Sequence, residues 1–132
     1  MRGYEMPMPV DDAAAGAHLR LQLTPDVDAP AVARRALKAL PLGACADDVL
    51  LLASELVTNA VVHAGLREGQ VIELDADCGV DGATRVAVRD HGCGFQPGGP
   101  AEGHGLHMMA VLAPDWGVAQ DGETCVWFEV RR

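Results

Sequence analysis

The spacing of hydrophobic positions changes several times along the chain, and each change predicts a new element. Residues 18–24, HLRLQLT, alternate apolar and polar positions, as a strand with one buried face does. Residues 28–40 follow a helical period, with Asp28 suited to the N-cap and Pro30 to the first turn. The apolar positions that recur at helical spacing are Val32, Leu37 and Leu40.

A second helical pattern predicts a longer helix over residues 46–64, which Gly65 would end. Its predicted apolar side consists of Val49, Leu52, Leu56, Val61 and Val62. We therefore expect this helix to pack through one face against a sheet.

The second half of the chain predicts two pairs of strands separated by a loop and a short helix. The predicted elements are strands at 70–77 and 84–90, a glycine-rich loop at 91–103, a helix from Gly105 to just before Pro114, and strands at 115–120 and 124–130. This order predicts an α+β fold: a two-layer α/β sandwich with helices on one face of a mainly antiparallel mixed sheet. Residues 1–17 lack the pattern of a signal peptide, and we expect a flexible lead-in there.

Composition limits the functions that this domain could have. The 132 residues include 49% apolar residues, enough for one globular domain, and no apolar run approaches the length of a membrane span. We therefore expect a cytoplasmic protein. The net charge of -9, without a basic cluster, argues against nucleic acid as a partner. A bound phosphate would need local stabilisation from backbone amides, a helix N-terminus or a cation.

The four cysteines do not form a recognisable metal or redox motif. Cys45, Cys78, Cys93 and Cys125 contain no CxxC pair, and we expect them to be reduced. A zinc site remains an alternative, and its four ligands would be His91, Cys93, His104 and His107.

Three polar residues of the predicted long helix lie one turn apart on a single stripe. Glu55, Asn59 and His63 occupy positions i, i+4 and i+8 of the segment SELVTNAVVHA. A solvated polar face is one interpretation. The aliphatic surroundings favour a polar cavity instead, in which a carboxylate could act as a general base and an amide oxygen could bind magnesium.

The segment VRDHGCGF places Asp90 at the end of a predicted strand, followed by Gly92 and Gly94. A turn explains these residues equally well. A dinucleotide-binding fingerprint is excluded because Pro97 stands where the third glycine would be, and no phosphate-loop lysine motif exists in the chain. A carboxylate held beside glycines, which have no side chain to block a flat ring, could nevertheless accept a hydrogen bond from the amine of adenine.

Two further stretches complete the set of candidates. In EGHGLHMMAVLA, Gly103 and Gly105 precede a predicted helix, whose N-terminal amides would attract an anion. Thr124 begins the closing strand, where threonine is also an ordinary strand residue.

Taken in order, ELVTNAVVHA, DHGCG, GHGL and GETCVWFEV resemble the N box, G1 box, G2 box and final strand of the GHKL, or Bergerat-fold, ATPases. The N box and the compact length resemble more narrowly the anti-sigma factor serine kinases of the RsbW and SpoIIAB type. The resemblance extends over about residues 18–131, which predicts that residues 18–132 form a single histidine-kinase-like ATPase domain.

The resemblance implies a role for each matching residue. Glu55 would polarise the attacking hydroxyl, Asn59 would hold Mg²⁺, and Asp90 would accept the adenine amine. Thr124 would lie on the adenine side, and His63 would have a supporting role without a catalytic duty. The remaining residues implied to contact ATP belong to the two glycine boxes: Gly92, Gly94, Gly103, His104, Gly105 and Leu106.

The family's reaction is transfer of the ATP γ-phosphate to a serine of a STAS-domain anti-anti-sigma partner, while the kinase also holds a sigma factor inactive. Relatives often form homodimers. One departure from the family concerns the ATP lid, FQPGGPAE at 95–102, which is short and contains no Lys or Arg. His104 is the candidate that could partly substitute for the missing cation in stabilising the γ-phosphate. The alternative function is therefore a partner-binding regulator of this fold with weak or no ATP binding and no kinase activity. An unrelated or zinc-stabilised module is the third hypothesis.

Overall fold

A computed structural model describes residues 16–63, 69–79, 81–90, 112–113, 115–120 and 123–131. The described elements are, in chain order, strand β1 (Gly16–Leu23), helix α1 (Ala29–Leu37), helix α2 (Ala46–His63), and strands β2 (Ile72–Gly79), β3 (Ala83–Asp90), β4 (Asp115–Gln120) and β5 (Thr124–Arg131). All seven correspond to predicted elements, with ends that differ by up to three residues. The predicted lead-in up to residue 15, the loop at 91–103 and the helix from Gly105 lie outside the described residues.

The five strands form one sheet in the order β1-β2-β3-β5-β4. Each of the four described pairings is antiparallel, which confirms the mainly antiparallel sheet that the sequence predicts. In the central ladder, Ala83 pairs with Arg131 and Asp90 with Thr124. The C-terminal end of β3 therefore lies beside the N-terminal end of β5.

Helix α1 is shorter than predicted, and of its predicted apolar positions Leu37 is buried and Leu40 packs partly buried against the core. Asp28 occupies the N-cap position without a side-chain capping bond, and its backbone N–H instead donates to Oδ1 of Asp26 at 3.0 Å. Pro30 lies in the first turn, as expected. Val32 is 38% exposed, so it does not belong to the packing face. The buried residues of the helix are Ala29, Ala33 and Leu37.

Helix α2 follows a 3-10 turn at Gly43–Cys45, in which the thiol of Cys45 donates to the carbonyl oxygen of Leu42 at 3.0 Å. The predicted apolar side is correct except at its C-terminal end, where Val62 is 63% exposed. Val61 packs partly buried against the core. The buried residues of α2 are Val49, Leu52, Ala53, Leu56, Val57 and Ala60.

The sheet has two different faces. The inner face packs with α1 and α2 into the main core, to which β2, β3 and β5 contribute Leu74, Val86, Val88, Phe128 and Val130. The outer face is defined here as the opposite side of the sheet, whose buried residues include Asp75, Asp77, Ala87, Cys125 and Trp127. Among the described residues, neither helix has the length and apolar character needed to cross a membrane.

Candidate functional site

The polar stripe of α2 lies on the flank of the helix. Glu55 and Asn59 are both half-buried, one turn apart, and neighbour the buried residues Leu56 and Ala60. His63 is the last residue of α2. The two side chains thus stand at the border between core and solvent, where a ligand could reach them without displacing core packing.

A hydrogen bond that the sequence did not predict joins α1 to the opposite flank of α2. Nη1 of Arg34, on α1, donates to Oγ of Ser54 at 2.8 Å. Because Ser54 and Asn59 are 140° apart around a helix with about 3.6 residues per turn, α1 borders one flank and Asn59 faces away from it. The basic residues in the last turn of α1 were the only sequence signal for such a contact.

Asp90 and Thr124 are opposite each other in the β3–β5 ladder. They are only 6% and 3% exposed. Since side chains alternate along a strand, Asp90 shares the inner face with Val86 and Val88, the face on which α2 packs. The sheet therefore presents a buried carboxylate and a buried hydroxyl side by side, facing the helical layer.

The start of α2 lies beside the start of β3. This contact gives a common origin for comparing positions in the two elements along the strand direction. Sγ of Cys45 is 3.8 Å from Oγ1 of Thr84. From Thr84 to Asp90 the strand rises about 20 Å, at about 3.4 Å per residue. A helix that follows β3 rises the same distance in about 14 residues, which corresponds to Asn59. An α2 axis aligned with β3 would place Asn59 and Asp90 at similar positions along the strand direction, near one end of the sheet.

The remaining predicted contacts cannot be located in the same way. Gly92, Gly94, Gly103, His104, Gly105 and Leu106 lie outside the described residues, as do His91, Cys93 and His107 of the zinc alternative. Within the described part of the chain, no three His, Cys, Asp or Glu side chains form a group that could hold a metal ion. A magnesium site fits Asn59 all the same, since Mg²⁺ usually takes one or two protein ligands and completes its shell with water and phosphate oxygens.

The buried charges of the outer face are separate from this site. Oδ1 of Asp75 lies 3.0 Å from Nε of Arg20 and 3.3 Å from Nε2 of His18, and its Oδ2 lies 3.5 Å from Nη1 of Arg89. Asp77 similarly pairs with Arg85 at 3.6 Å. Such pairing is what allows a carboxylate to remain buried.

The cysteines of the described residues are structural. Cys45, Cys78 and Cys125 are buried, and no disulfide joins them, in agreement with the reduced state expected from the sequence. Burial raises the pKa of the Cys125 thiol, and the nearby Arg89 guanidinium only partly opposes this. Cys125 is therefore kept as a neutral thiol rather than a reactive thiolate.

Comparison with known proteins extends this picture. The family model described as a histidine kinase-like ATPase domain matches residues 23–130. A search of curated proteins found no significant match. The crystal structure of the RsbU and RsbW domains of Rv1364c from Mycobacterium tuberculosis matches with a TM-score of 0.67 at 24% sequence identity. That match covers 87% of this chain and 32% of the other, so this chain spans about a third of that protein's solved length, and the two share a fold.

Proposed function

Because the chain belongs to the histidine kinase-like ATPase domain family, we propose that it binds ATP with Mg²⁺ and transfers the γ-phosphate to a serine or threonine of a protein partner. The observation that carries this proposal is the buried pair Asp90 and Thr124 on the inner face of the sheet, the face that shares its core with α2. The pair offers a carboxylate and a hydroxyl to adenine, and the flank of α2 offers an amide and a carboxylate to the phosphate end.

Each polar side chain of the site has a proposed task. Asp90 accepts a hydrogen bond from the exocyclic amine of adenine, and Thr124 bonds to the same edge of the ring. Asn59 provides an amide oxygen to Mg²⁺, an ion that neutralises phosphate charge in phosphoryl transfer. Glu55 accepts the proton of the partner's hydroxyl as a bond forms between that oxygen and the γ-phosphorus, while the bond from this phosphorus to the departing ADP breaks.

The proposed partners are those of an anti-sigma factor kinase. The substrate would be a STAS-domain anti-anti-sigma factor, and a sigma factor would be the protein held inactive, both in the cytoplasm. Support comes from the fold that this chain shares with the solved RsbU and RsbW domains of Rv1364c. We also propose a homodimer, by analogy with such kinases.

A second candidate function has its own observation. The lid at 95–102 contains no Lys or Arg, and a missing cation weakens stabilisation of the transferring phosphate, typically by about a hundredfold in rate for each donor. A regulator that binds its partners with little or no phosphoryl transfer would have no need of such a cation.

One experiment separates the two functions. The partners are first captured by pull-down with and without ATP, and the recovered STAS protein is then incubated with the chain and γ-³²P-ATP. The kinase proposal predicts label on a serine or threonine of the STAS protein, lost with Glu55→Gln and retained with the control Asp47→Asn on the same helix. Stable capture of partners without any transfer would instead support the regulator.

A further inference from the structure

One row of side chains on α2 faces solvent rather than the sheet or α1. This solvent-side row is defined as Asp48, Leu51, Glu55, Thr58 and Val62, which recur at spacings of three and four residues. At about 100° per residue, these positions fall within an arc of about 80° on one side of the helix. Thr58 is exposed, Asp48 and Glu55 are half-buried, and Leu51 and Val62 are 41% and 63% exposed. The row is therefore accessible to a partner molecule along about four turns of the helix.

The row combines apolar side chains with carboxylates. Four large hydrophobic side chains are exposed among the described residues, and α2 carries two of them, Leu51 and Val62. Single exposed apolar residues are common on protein surfaces, but these two lie on either side of Glu55 in the same row. In the described part of the chain, neither Asp48 nor Glu55 takes part in an ion pair. The row thus offers two apolar contacts and two carboxylates to a partner.

The packing around α2 leaves one direction from which a partner's hydroxyl can reach Glu55. The buried side of the helix packs into the main core, and α1 borders a second side through the bond from Arg34 to Ser54. The flank with Asn59 is the one that the proposed function assigns to Mg²⁺ and ATP. Glu55 lies between this flank and the rest of the row, because Asn59 is about 40° from it on one side and Leu51 about 40° on the other. The acceptor must therefore cross the solvent-side row.

The rise of the helix sets the spacing that a segment lying along the row would need. At about 1.5 Å per residue, Leu51 lies about 6 Å from Glu55 along the axis, and Val62 lies about 10.5 Å from Glu55 in the other direction. An extended chain advances about 3.4 Å per residue, so these distances correspond to about two and three residues. Asp48 is about 10.5 Å from Glu55 on the Leu51 side, which again corresponds to about three residues.

We propose that the solvent-side row docks the phosphoacceptor segment of the partner protein, an inference that rests on the proposed function and names what that function recognises. The segment is an extended stretch with a serine or threonine at Glu55, an aliphatic residue two positions away at Leu51, and a second aliphatic residue three positions away on the other side at Val62. Charge complementarity adds a Lys or Arg three positions from the acceptor, beside Asp48. Burial of the aliphatic side chains supplies affinity, and the charge at Asp48 fixes the direction of the segment.

Serine peptides test the predicted pattern. The first has serine at its centre, lysine three positions before it, leucine two positions before and three positions after it, and glycine elsewhere; the second has the reversed sequence. Matched controls replace both leucines with asparagine. With γ-³²P-ATP and Mg²⁺, the better leucine peptide should have a kcat/KM at least about tenfold above that of its control. Equal labelling of leucine and asparagine peptides, or labelling of the STAS protein without any peptide, would overturn the proposal.

Substitutions in the row test the surface from the protein side. Leu51→Asp/Val62→Asp should raise the KM for the leucine peptide by at least about tenfold, while kcat and the Kd for ATP change by less than about threefold. The milder Leu51→Gln/Val62→Thr should raise the same KM by a smaller factor and keeps the test valid if the charged variant unfolds. Val32→Asp is the matched control, because Val32 is 38% exposed and lies about 160° around α1 from Arg34, away from α2. Asp48→Asn should remove the preference for lysine over asparagine at its peptide position.

The outcomes separate this proposal from the proposed function. An unmodified chain that transfers phosphate to no acceptor overturns the proposed function, and this inference with it. Transfer by the unmodified chain with an unchanged KM in both row variants overturns the docking surface alone. If sedimentation velocity shows that Leu51→Asp/Val62→Asp dissociates a dimer without changing the KM, the row is a contact between two copies, which would also overturn the proposal.

Discussion

Asp90 at the end of β3 and Thr124 at the start of β5 form a buried cross-strand pair on the face of the sheet that carries the helices. A buried pair of this kind is costly unless hydrogen bonds or a ligand satisfy it. Its position, at one end of the sheet beside the helical layer, is the basis for assigning the adenine-binding role to these two residues.

Removing the carboxylate of Asp90 should weaken nucleotide binding. A hydrogen bond to a charged group contributes about 1.5–3 kcal/mol, so Asp90→Ala should raise the Kd for ATP by about 10- to 150-fold. Thr124→Val removes only a neutral hydroxyl and should raise the Kd by less. Isothermal titration calorimetry with ATP and with adenosine measures the Kd of both variants. Equal binding of ATP by Asp90→Ala and the unmodified chain would contradict the adenine assignment.

Substitution of Glu55 should slow phosphoryl transfer and leave the affinity for ATP nearly unchanged. General-base catalysis typically contributes about 10²- to 10⁴-fold in rate, so Glu55→Gln should lose most phosphoryl transfer and keep the Kd for ATP within about threefold. Quench-flow or filter-binding assays give the rate, and calorimetry gives the Kd. Asp47→Asn, near the start of α2, is the matched control, with both values expected unchanged. Normal transfer by Glu55→Gln would remove Glu55 from the catalytic role.

The predictable part of this fold was the part encoded in local periodicity. Segments such as residues 46–64 and 84–90 have a clear helical or alternating pattern and gave the correct elements. The predicted burial of Val32 and Val62 was wrong, because an apolar residue on the edge of a helix is buried only if a neighbouring element covers it. That neighbour is fixed by tertiary packing.

The candidate site was predictable to a similar degree. Glu55 and Asn59 could be placed on one stripe of a helix from spacing alone. The pairing of Asp90 with Thr124 depends on the strand order β3-β5-β4, which joins residues 34 positions apart. The burial of Asp75 was unexpected because its partners Arg20 and Arg89 come from other strands.

Gly16 should tolerate substitution poorly. Gly16→Ala combines a strained φ of +139° with a Cβ that meets backbone at 1.8 Å, so it should lower the free energy of unfolding by at least about 1–3 kcal/mol. Gly69→Ala is the control, because Gly69 also has a positive φ, of +87°, but has nothing within 4 Å of an added Cβ. Urea unfolding followed by circular dichroism measures both. An equal effect of the two substitutions would show that the close approach to Cys78 is unimportant.

The turn between β2 and β3 should add a pH dependence to stability. The backbone N–H of Ala83 donates to Oδ1 of Asp81 at 3.0 Å and lowers the pKa of this carboxyl below 3.8. A lowered pKa in the folded state means that the stabilisation is present above the unfolded pKa and is lost as the pH falls through the folded value. Asp81→Ala should therefore be less stable than the unmodified chain at pH 7, and the difference should shrink below pH 3.8. A difference in unfolding free energy that stays constant from pH 7 to pH 3 would contradict this coupling.

The most direct test of the proposed function is a titration of the unmodified chain and Asn59→Ala with ATP, with and without Mg²⁺, followed by tryptophan fluorescence and thermal shift. Thr58→Ala is the matched control, since Thr58 is the exposed neighbour whose hydroxyl bonds only to the backbone of Ser54 in the described structure. We predict saturable binding that Mg²⁺ tightens in the unmodified chain and in Thr58→Ala, and no Mg²⁺-dependent binding in Asn59→Ala. Absence of ATP binding in the unmodified chain, or Mg²⁺-dependent binding of equal strength in Asn59→Ala, would contradict the account.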